Sequence, residues 1–346
     1  MLTNDLFIRL CEERNISEST QKGYVSALKN YESFHKMSIN ELLYEAKLDE
    51  KNNIPLKERN IKKRLVDYRT YLFKADNSPN TIRTYFTKVK TFYRHFEIEL
   101  PILPDAKYNK TYEINYLDLP TKEHIMEALD IVSIDLKSII LFMSSSGTSK
   151  AETLSLTVEQ FVDGTRDYHK GGSLNQILDT LSKRNDVIPT FYVRRIKTDK
   201  FYYTFCSSEA TRYIVTYLKT RKNLKFEDKL FDITPSALLS KFQEINDTMG
   251  WGFKGKYRFF RSHTLRKFHA SNIGLSAEYI DLLQGRTRTE LHETYIKINP
   301  NKLKQIYKSA MSNVIISTID YDKQVHTQEF TIVVNVFLSG KEYNII

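Results

Sequence analysis

Apolar residues at helical spacing run through the first hundred residues of this 346-residue chain. Behind Ser17, a residue type that favours helix N-caps, Tyr24, Leu28 and Tyr31 recur every three or four positions. Three further stretches repeat the pattern, each preceded by a turn or a capping residue. This periodicity predicts a compact bundle of about four helices over residues 1–100.

The composition changes after the predicted bundle. Residues 101–120 hold three prolines and little periodicity, which is typical of an extended connector between domains. Helical spacing returns in residues 121–314, which predict a second and larger domain. The tail over residues 315–346 is β-rich and apolar in its middle part. Such a strand must pair with a sheet, either in its own chain or in a neighbouring one.

Two aromatic stretches in the second domain predict β-strands. Residues 191–193 read Phe-Tyr-Val and residues 201–205 read Phe-Tyr-Tyr-Thr-Phe. The polar residues between them predict a hairpin turn with Lys197 at its tip. The expected fold class is therefore mainly α with a small β-sheet, an α+β arrangement.

The chain carries an excess of positive charge. It has 52 Lys and Arg against 42 Asp and Glu, a formal net charge of +10, and a pI of about 9.2. This excess favours a polyanionic partner, either nucleic acid or an anionic membrane surface, although composition alone fits an ordinary basic surface equally well. No uninterrupted apolar run approaches the roughly 20 residues that span a bilayer, so we expect no membrane partner.

Cysteine and histidine usage narrows the chemistry. Only Cys11 and Cys206 occur, which excludes a disulfide framework and a cysteine-rich zinc site and favours the cytoplasm. The N-terminus lacks the features of a signal peptide. His263, His269 and His292 have no spaced carboxylate partners, so we predict no metal site.

Residues 262–295 gather groups that suit phosphodiester chemistry. His263 and Arg266 are three apart and share a face if helical, and a guanidinium can bond two phosphate oxygens at once. Tyr295 is a candidate nucleophile, and Lys197 on its turn is a candidate general acid. Each signal is weak alone, since a His-x-x-Arg pair is most often structural and the chain has 22 tyrosines.

The order and spacing of these motifs resemble the tyrosine recombinase (phage integrase) family, in its archaeal or viral form. The stretch His263–Arg266 is similar to the family's His-x-x-Arg box. Gly285 and Arg286 stand where the family usually has Gly-His, nine residues before its nucleophile, and Tyr295 falls at that distance. The resemblance covers nearly the whole chain. It implies an N-terminal SAM-like helical core-binding bundle followed by a tyrosine-recombinase catalytic domain.

The resemblance also implies a reaction. Tyr295 would attack a DNA phosphate and form a 3′-phosphotyrosyl link, for integration, excision or inversion. Arg266 and His263 would hold the phosphate, with Lys197 as the acid and Arg286 as a further donor. No metal or cofactor is implied, because the covalent intermediate keeps the bond energy. The implied partner is double-stranded DNA, with four protomers on two duplexes and a monomer or weak dimer free in solution.

One departure from the family pattern concerns its first arginine. Aligned on Glu152, that position holds Ser149, with Lys150 next to it. Lys150 is predicted to substitute as a point charge, although it lacks the fork of a guanidinium. Alternatively, Ser149 is an N-cap and Lys150 a solvated residue. The departure leaves open slow chemistry, a substitute from another segment, or a DNA-binding protein that has lost strand exchange. A type IB topoisomerase-like enzyme is a further alternative.

Several cations are predicted to contact the DNA backbone. Four of them lie on the last helix of the predicted bundle and one lies beside Arg266; they are Arg83, Lys88, Lys90, Arg94 and Lys267. Phosphate contacts of this kind position a protein on DNA without reading its sequence. For any single residue, the alternative is a solvated helix face.

Overall fold

The chain divides into two compact units after Glu113. The computed structural model describes residues 5–75, 77–107, 113, 115–286 and 299–317. Each unit has its own hydrophobic core, and the division falls within the predicted connector at 101–120.

The described part of the first unit contains five helices. They are α1 (Asp5–Glu13), α2 (Glu18–His35), α3 (Ile39–Lys51), α4 (Asn60–Lys74) and α5 (Pro79–His95). The last four correspond to the four predicted helices. Ser38 and Ser78 begin α3 and α5 by accepting hydrogen bonds from backbone N–H groups of the first turn.

Three buried tyrosines hold this bundle together. Tyr31 of α2 makes edge-on ring contacts with Tyr68 of α4 and Tyr93 of α5, with centroids 4.8 and 6.2 Å apart. The hydroxyl groups of Tyr31 and Tyr93 lie 3.2 Å apart. Because each hydroxyl is bonded, large aromatic groups fill the core without leaving buried donors unsatisfied.

The second unit is also mainly helical within the described residues. Its α-helices are α6 (Lys122–Asp130), α7 (Ile134–Ser146), α8 (Lys150–Ser155), α9 (Val158–Gly164), α10 (Leu174–Ser182), α11 (Ser208–Thr220), α12 (Pro235–Thr248), α13 (Ser262–Asn272), α14 (Ala277–Leu283) and α15 (Pro300–Ala310). Three 3₁₀ turns lie at Tyr116–Asp118, Arg166–Tyr168 and Met311–Val314. The predicted short helix over residues 290–297 lies outside the described residues.

Two small antiparallel hairpins complete the described fold. Strand β1 (Thr190–Arg195) pairs with β2 (Lys200–Phe205), with Arg195 opposite Lys200. The short strands β3 (Phe253–Lys254) and β4 (Tyr257–Arg258) form the second hairpin. The predicted fold class, mainly α with a small β component, is confirmed. The sequence did not predict the second hairpin or α9.

Helix α7 lies at the centre of the second unit. Its side chains from Ile139 to Ser146 are buried, and it packs against α11 and α13. The hydroxyl of Tyr307 on α15 donates to the Ser145 carbonyl at 2.9 Å. Helix α7 ends at Gly147, whose φ of +67° is the left-handed conformation that glycine adopts without strain. This turn brings the chain to the candidate site.

The end of the described chain is anchored in the second unit. Ile315 and Ile316 are buried. The Glu209 carboxylate, at the start of α11, accepts hydrogen bonds from the backbone N–H groups of Ile316 and Ser317, both at 2.9 Å. The predicted β-rich segment of the tail lies outside the described residues. None of the described helices has the length and apolarity to cross a membrane.

Candidate active site

A buried carboxylate organises the candidate site. Glu152 lies in the first turn of α8 and is 2% exposed. Its Oε2 accepts hydrogen bonds from the Ser149 backbone N–H at 2.9 Å and from the Tyr202 hydroxyl at 3.0 Å. Its Oε1 accepts one from Arg195 Nη1 at 3.0 Å. A buried carboxylate needs such partners, because an unpaired charge in the interior is costly.

Arg266 of α13 lies beside this carboxylate. Its Nη1 is 3.7 Å from Glu152 Oε2, and the residue is 7% exposed. Nη1 also donates to the Gly147 carbonyl and Nη2 to the Gln284 carbonyl, both at 2.7 Å. Both carbonyls stand at helix C-termini, those of α7 and α14. The partial negative charge at these ends favours a cation.

Two glycines permit this close packing. A Cβ at Gly147 would lie 2.5 Å from His269 Nδ1, and one at Gly285 would lie 2.4 Å from the Tyr202 ring. Both glycines have positive φ, +67° and +59°. The Gly285 of the sequence motif therefore has a physical role: it ends α14 against the aromatic ring that holds Glu152.

Behind Arg266 lies a neutral histidine. His269 is fully buried, and burial, followed by the charges of Arg266 and Arg286, lowers its pKa to about 3. The Gln284 side-chain amide bridges His269 Nδ1 at 2.9 Å and the Arg266 carbonyl at 3.1 Å. His269 thus supports the site from inside the core. No cluster of three metal-ligating side chains is found among the described residues.

His263 is the second residue of α13 and is exposed to solvent. Partial removal from water lowers its pKa, and so do four cations: Arg261, Lys267, Arg266 and Arg286. A lowered pKa favours the neutral form of the imidazole, which offers one N–H donor. Arg286 is exposed, with Nη1 3.5 Å from Asp281 Oδ1. His263, Arg266 and Arg286 therefore share one electropositive region.

The remaining residues predicted for the site are Lys197, Lys150 and Tyr295. Lys197 is exposed in the turn between β1 and β2, as predicted. Lys150 donates to the Pro235 carbonyl at 3.4 Å, at the start of α12. Tyr295 lies outside the described residues. The structure thus brings Arg266, His263 and Arg286 together and directs Lys150 toward another helix.

Arg195 is a neighbour of this site that the motifs did not indicate. A signal for it exists in the strand pattern. Phe191 and Val193 face the core, and Arg195 continues the same alternation at the end of β1. A cation on the buried face of a strand needs a partner, and Glu152 supplies it.

Two lysines of α5 lie over aromatic rings. The Nζ atoms of Lys88 and Lys90 lie 4.5 Å from the Tyr24 centroid and 5.1 Å from the Phe86 centroid. Burial lowers the pKa of both amines, and for Lys90 the charges of Arg94 and Arg69 add to it.

Two other residues of α5 that are predicted to contact DNA are exposed. They are Arg83 and Arg94. Lys267 on α13 is half-buried, and its pKa is lowered by burial and then by Arg261. Sequence reasoning missed Arg69 of α4, which joins the cluster of Lys90 and Arg94.

Comparisons with known proteins identify the fold. No protein-family model and no curated protein sequence matches the chain. Among solved structures, a lambda integrase tetramer bound to a Holliday junction is 14% identical, covers 85% of this chain and 78% of its own, and has a TM-score of 0.55. A Tn1549 transposon integrase fragment in complex with transposon right end DNA is 10% identical, covers 88% and 98%, and has a TM-score of 0.52. This chain has the fold of the tyrosine recombinases and integrases.

Proposed function

We propose that this protein is a site-specific recombinase that cleaves and rejoins DNA through a 3′-phosphotyrosyl intermediate. The observation that carries the proposal is the grouping of Arg266, His263 and Arg286, with Arg266 held beside buried Glu152, in a chain with the integrase fold. Such a set of preorganised cations and donors suits a phosphoryl transition state, whose charge accumulates on non-bridging oxygens.

Tyr295 is the proposed nucleophile. Its phenolic O–H gives its proton to solvent as the oxygen attacks the scissile phosphorus, the phosphorus–tyrosine bond forms, and the bond to the 5′ oxygen breaks. The leaving 5′ oxygen takes a proton from Lys197, which the hairpin turn presents to solvent. Rejoining reverses these steps with another 5′ hydroxyl. The energy of the broken bond stays in the covalent link, so no cofactor is required.

The proposed phosphate contacts differ in character. Arg266 donates hydrogen bonds to two backbone carbonyls, which hold its guanidinium in one orientation before DNA binds. His263 donates one hydrogen bond to a phosphate oxygen. Arg286 is exposed and serves as the further donor that the sequence predicted in place of a histidine. The sequence leaves two sources open for the positive charge of the missing first arginine: Lys150, or a cation from another segment.

Double-stranded DNA is the proposed partner. The solved integrases with this fold include complexes with a Holliday junction and with transposon DNA. The cations of α5, together with Lys267, would contact the phosphate backbone and hold the duplex. We further propose a tetramer on DNA, a monomer or weak dimer without it, an archaeal or viral subtype, and a location with the DNA in the cytoplasm.

A second candidate function follows from the first-arginine position. Ser149 caps α8 there, with its Oγ accepting from the Glu152 backbone N–H, and so supplies no charge. A protein of this fold without strand exchange would bind DNA and form no covalent link. The two functions are separated by whether an adduct forms.

The test is adduct formation on a nicked duplex that carries the attachment site, found in the DNA flanking the gene. A nick lets a short fragment diffuse away and traps the cleaved state. We expect the parent protein to form an adduct that survives denaturant, and Tyr295→Phe to form none. An equal yield from Tyr295→Phe would show that the nucleophile is wrong. No adduct from the parent, with DNA binding intact, would support the binding-only function.

A further inference from the structure

The guanidinium of Arg195 lies next to that of Arg266. Arg195 Nη1 donates to Glu152 Oε1 at 3.0 Å and to the Gln284 carbonyl at 3.2 Å. Arg266 uses the same two acceptor groups, with Nη1 3.7 Å from Glu152 Oε2 and Nη2 2.7 Å from the Gln284 carbonyl. Two arginines from distant segments are thus held side by side by one carboxylate and one carbonyl.

This arrangement leaves uncompensated positive charge. Glu152 contributes one negative charge, whereas Arg195 and Arg266 contribute two positive charges, since guanidinium groups stay protonated in proteins. Arg286 adds a further positive charge to this region. Both Arg286 and Arg195 repel the positive charge of Arg266. An anionic ligand would remove this imbalance.

One N–H donor of Arg195 makes no hydrogen bond within the described part of the structure. Its side chain is 17% exposed, and its Nε is buried without a hydrogen-bond partner. Leaving such a donor unsatisfied costs about 1–3 kcal/mol, so an acceptor supplied by a ligand would be favoured. A role limited to neutralising Glu152 explains the Nη1 contacts and leaves the Nε donor unexplained.

Ser149, at the aligned first-arginine position, and its neighbour Lys150 both make hydrogen bonds elsewhere. Ser149 uses its hydroxyl to cap α8, and the Lys150 amine donates to the Pro235 carbonyl. Arg195 reaches Glu152, the acidic residue on which that position was aligned, from strand β1. The missing cation is thus matched by one from another segment.

We propose that Arg195 takes the place of the missing first arginine and binds a non-bridging oxygen of the scissile phosphate beside Arg266. This inference rests on the proposed recombinase function. Two residues near the start of the β1–β2 turn would then serve the site. Arg195 would bind the phosphate, and Lys197 would protonate the leaving oxygen.

The experiment measures cleavage of the nicked duplex by the full-length chain. We expect Arg195→Ala to cleave at least about 100-fold more slowly than the parent, the size of effect seen when one transition-state donor is removed. Arg166→Ala is the matched control, because Arg166 is an arginine of the same unit whose side chain is 74% exposed and bonded to Asp163. We expect the control to cleave at the parent rate.

A second substrate separates phosphate binding from support of Glu152. One non-bridging oxygen of the scissile phosphate is replaced by a methyl group, which makes the linkage neutral. Because Arg195 is proposed to offset that charge, the deficit of Arg195→Ala should shrink at least about tenfold on one stereoisomer of this substrate. A purely structural role predicts the same deficit on both substrates.

The outcomes distinguish the two proposals. An adduct from the parent together with a parent-like rate for Arg195→Ala, or an equal deficit on both substrates, overturns the inference alone. No adduct from the parent overturns the recombinase function and the inference with it. If Arg195→Ala does not fold, Arg195→Gln replaces it in both assays, because glutamine removes the charge and keeps a donor for Glu152. A parent-like circular dichroism spectrum and a cooperative urea transition confirm that each variant is folded.

Discussion

At the scale of single residues, the site depends on how closely its residues pack as much as on their charges. Arg266 is fixed by the carbonyls of Gly147 and Gln284, and Gly147 fits only because it lacks a side chain. Sequence motifs could identify Arg266 and the Gly-Arg pair, because their spacing is local. They could not identify the contacts of Glu152, which join residues 43 and 50 positions away.

Gly147→Ala tests this close approach. Its new Cβ would lie 2.5 Å from His269 Nδ1 and 2.6 Å from Gln284 Nε2, so the buried pair would have to move. Strain at positive φ adds about 1–2 kcal/mol, and overpacking adds about 1–3 kcal/mol. We expect a loss of about 2–5 kcal/mol in the free energy of unfolding, measured by urea denaturation.

Gly250→Ala is the control for backbone strain alone. Gly250 has a φ of +66°, nearly the same as Gly147, and a Cβ there would meet nothing within 4 Å. We expect this variant to lose only the strain contribution, about 1–2 kcal/mol. Equal losses in the two variants would mean that the packing around Gly147 relaxes freely and does not fix the position of Gln284.

At the scale of elements, prediction succeeded where apolar residues recurred at helical spacing over several turns. Helices α2 to α5 were found from their apolar spacing, and the β1–β2 hairpin from its aromatic strands. Helix α1 has only nine residues, and the strands β3 and β4 have two each. Strands of two residues are too short for an alternating pattern, so their structure depends on tertiary packing.

Helix α5 supplies the proposed contacts of the first unit to DNA. Lys90 lies near Arg69 and Arg94, and such a group of cations would release counterions when a phosphate binds. We expect Lys90→Ala and Arg94→Ala each to weaken binding by a similar factor on different DNA sequences. Each should also lower the slope of log affinity against log salt by about one. Fluorescence anisotropy over a salt series measures both effects.

Lys47→Ala provides the comparison for the α5 variants. Lys47 is an exposed lysine on α3, so its removal changes the net charge of the chain as much as Lys90→Ala does. A parent-like salt slope for Lys47→Ala would assign the effect to α5. If all three variants lower the slope equally, the loss reflects net charge alone and the predicted face does not contact DNA.

At the scale of the whole molecule, each unit carries a separate core. The first core is built from α1 to α5, and the second surrounds α7. The sequence predicted a helical bundle over residues 1–100 and a larger domain over residues 121–314, because the proline-containing connector at 101–120 interrupts the helical spacing. The net charge predicted a polyanionic partner but not which surface binds it, since charge placement depends on the folded chain.

Separate cores predict separate folding. A fragment of residues 1–107 contains all the buried residues of the first core, so we expect helical circular dichroism and a cooperative urea transition from it alone. A fragment of residues 113–346 should retain adduct formation, because every proposed catalytic residue lies within it. That fragment lacks α5, so its affinity for DNA and its salt slope should both fall. A non-cooperative transition in the first fragment would show that its core depends on the second unit, and full affinity in the second would remove α5 from the DNA interface.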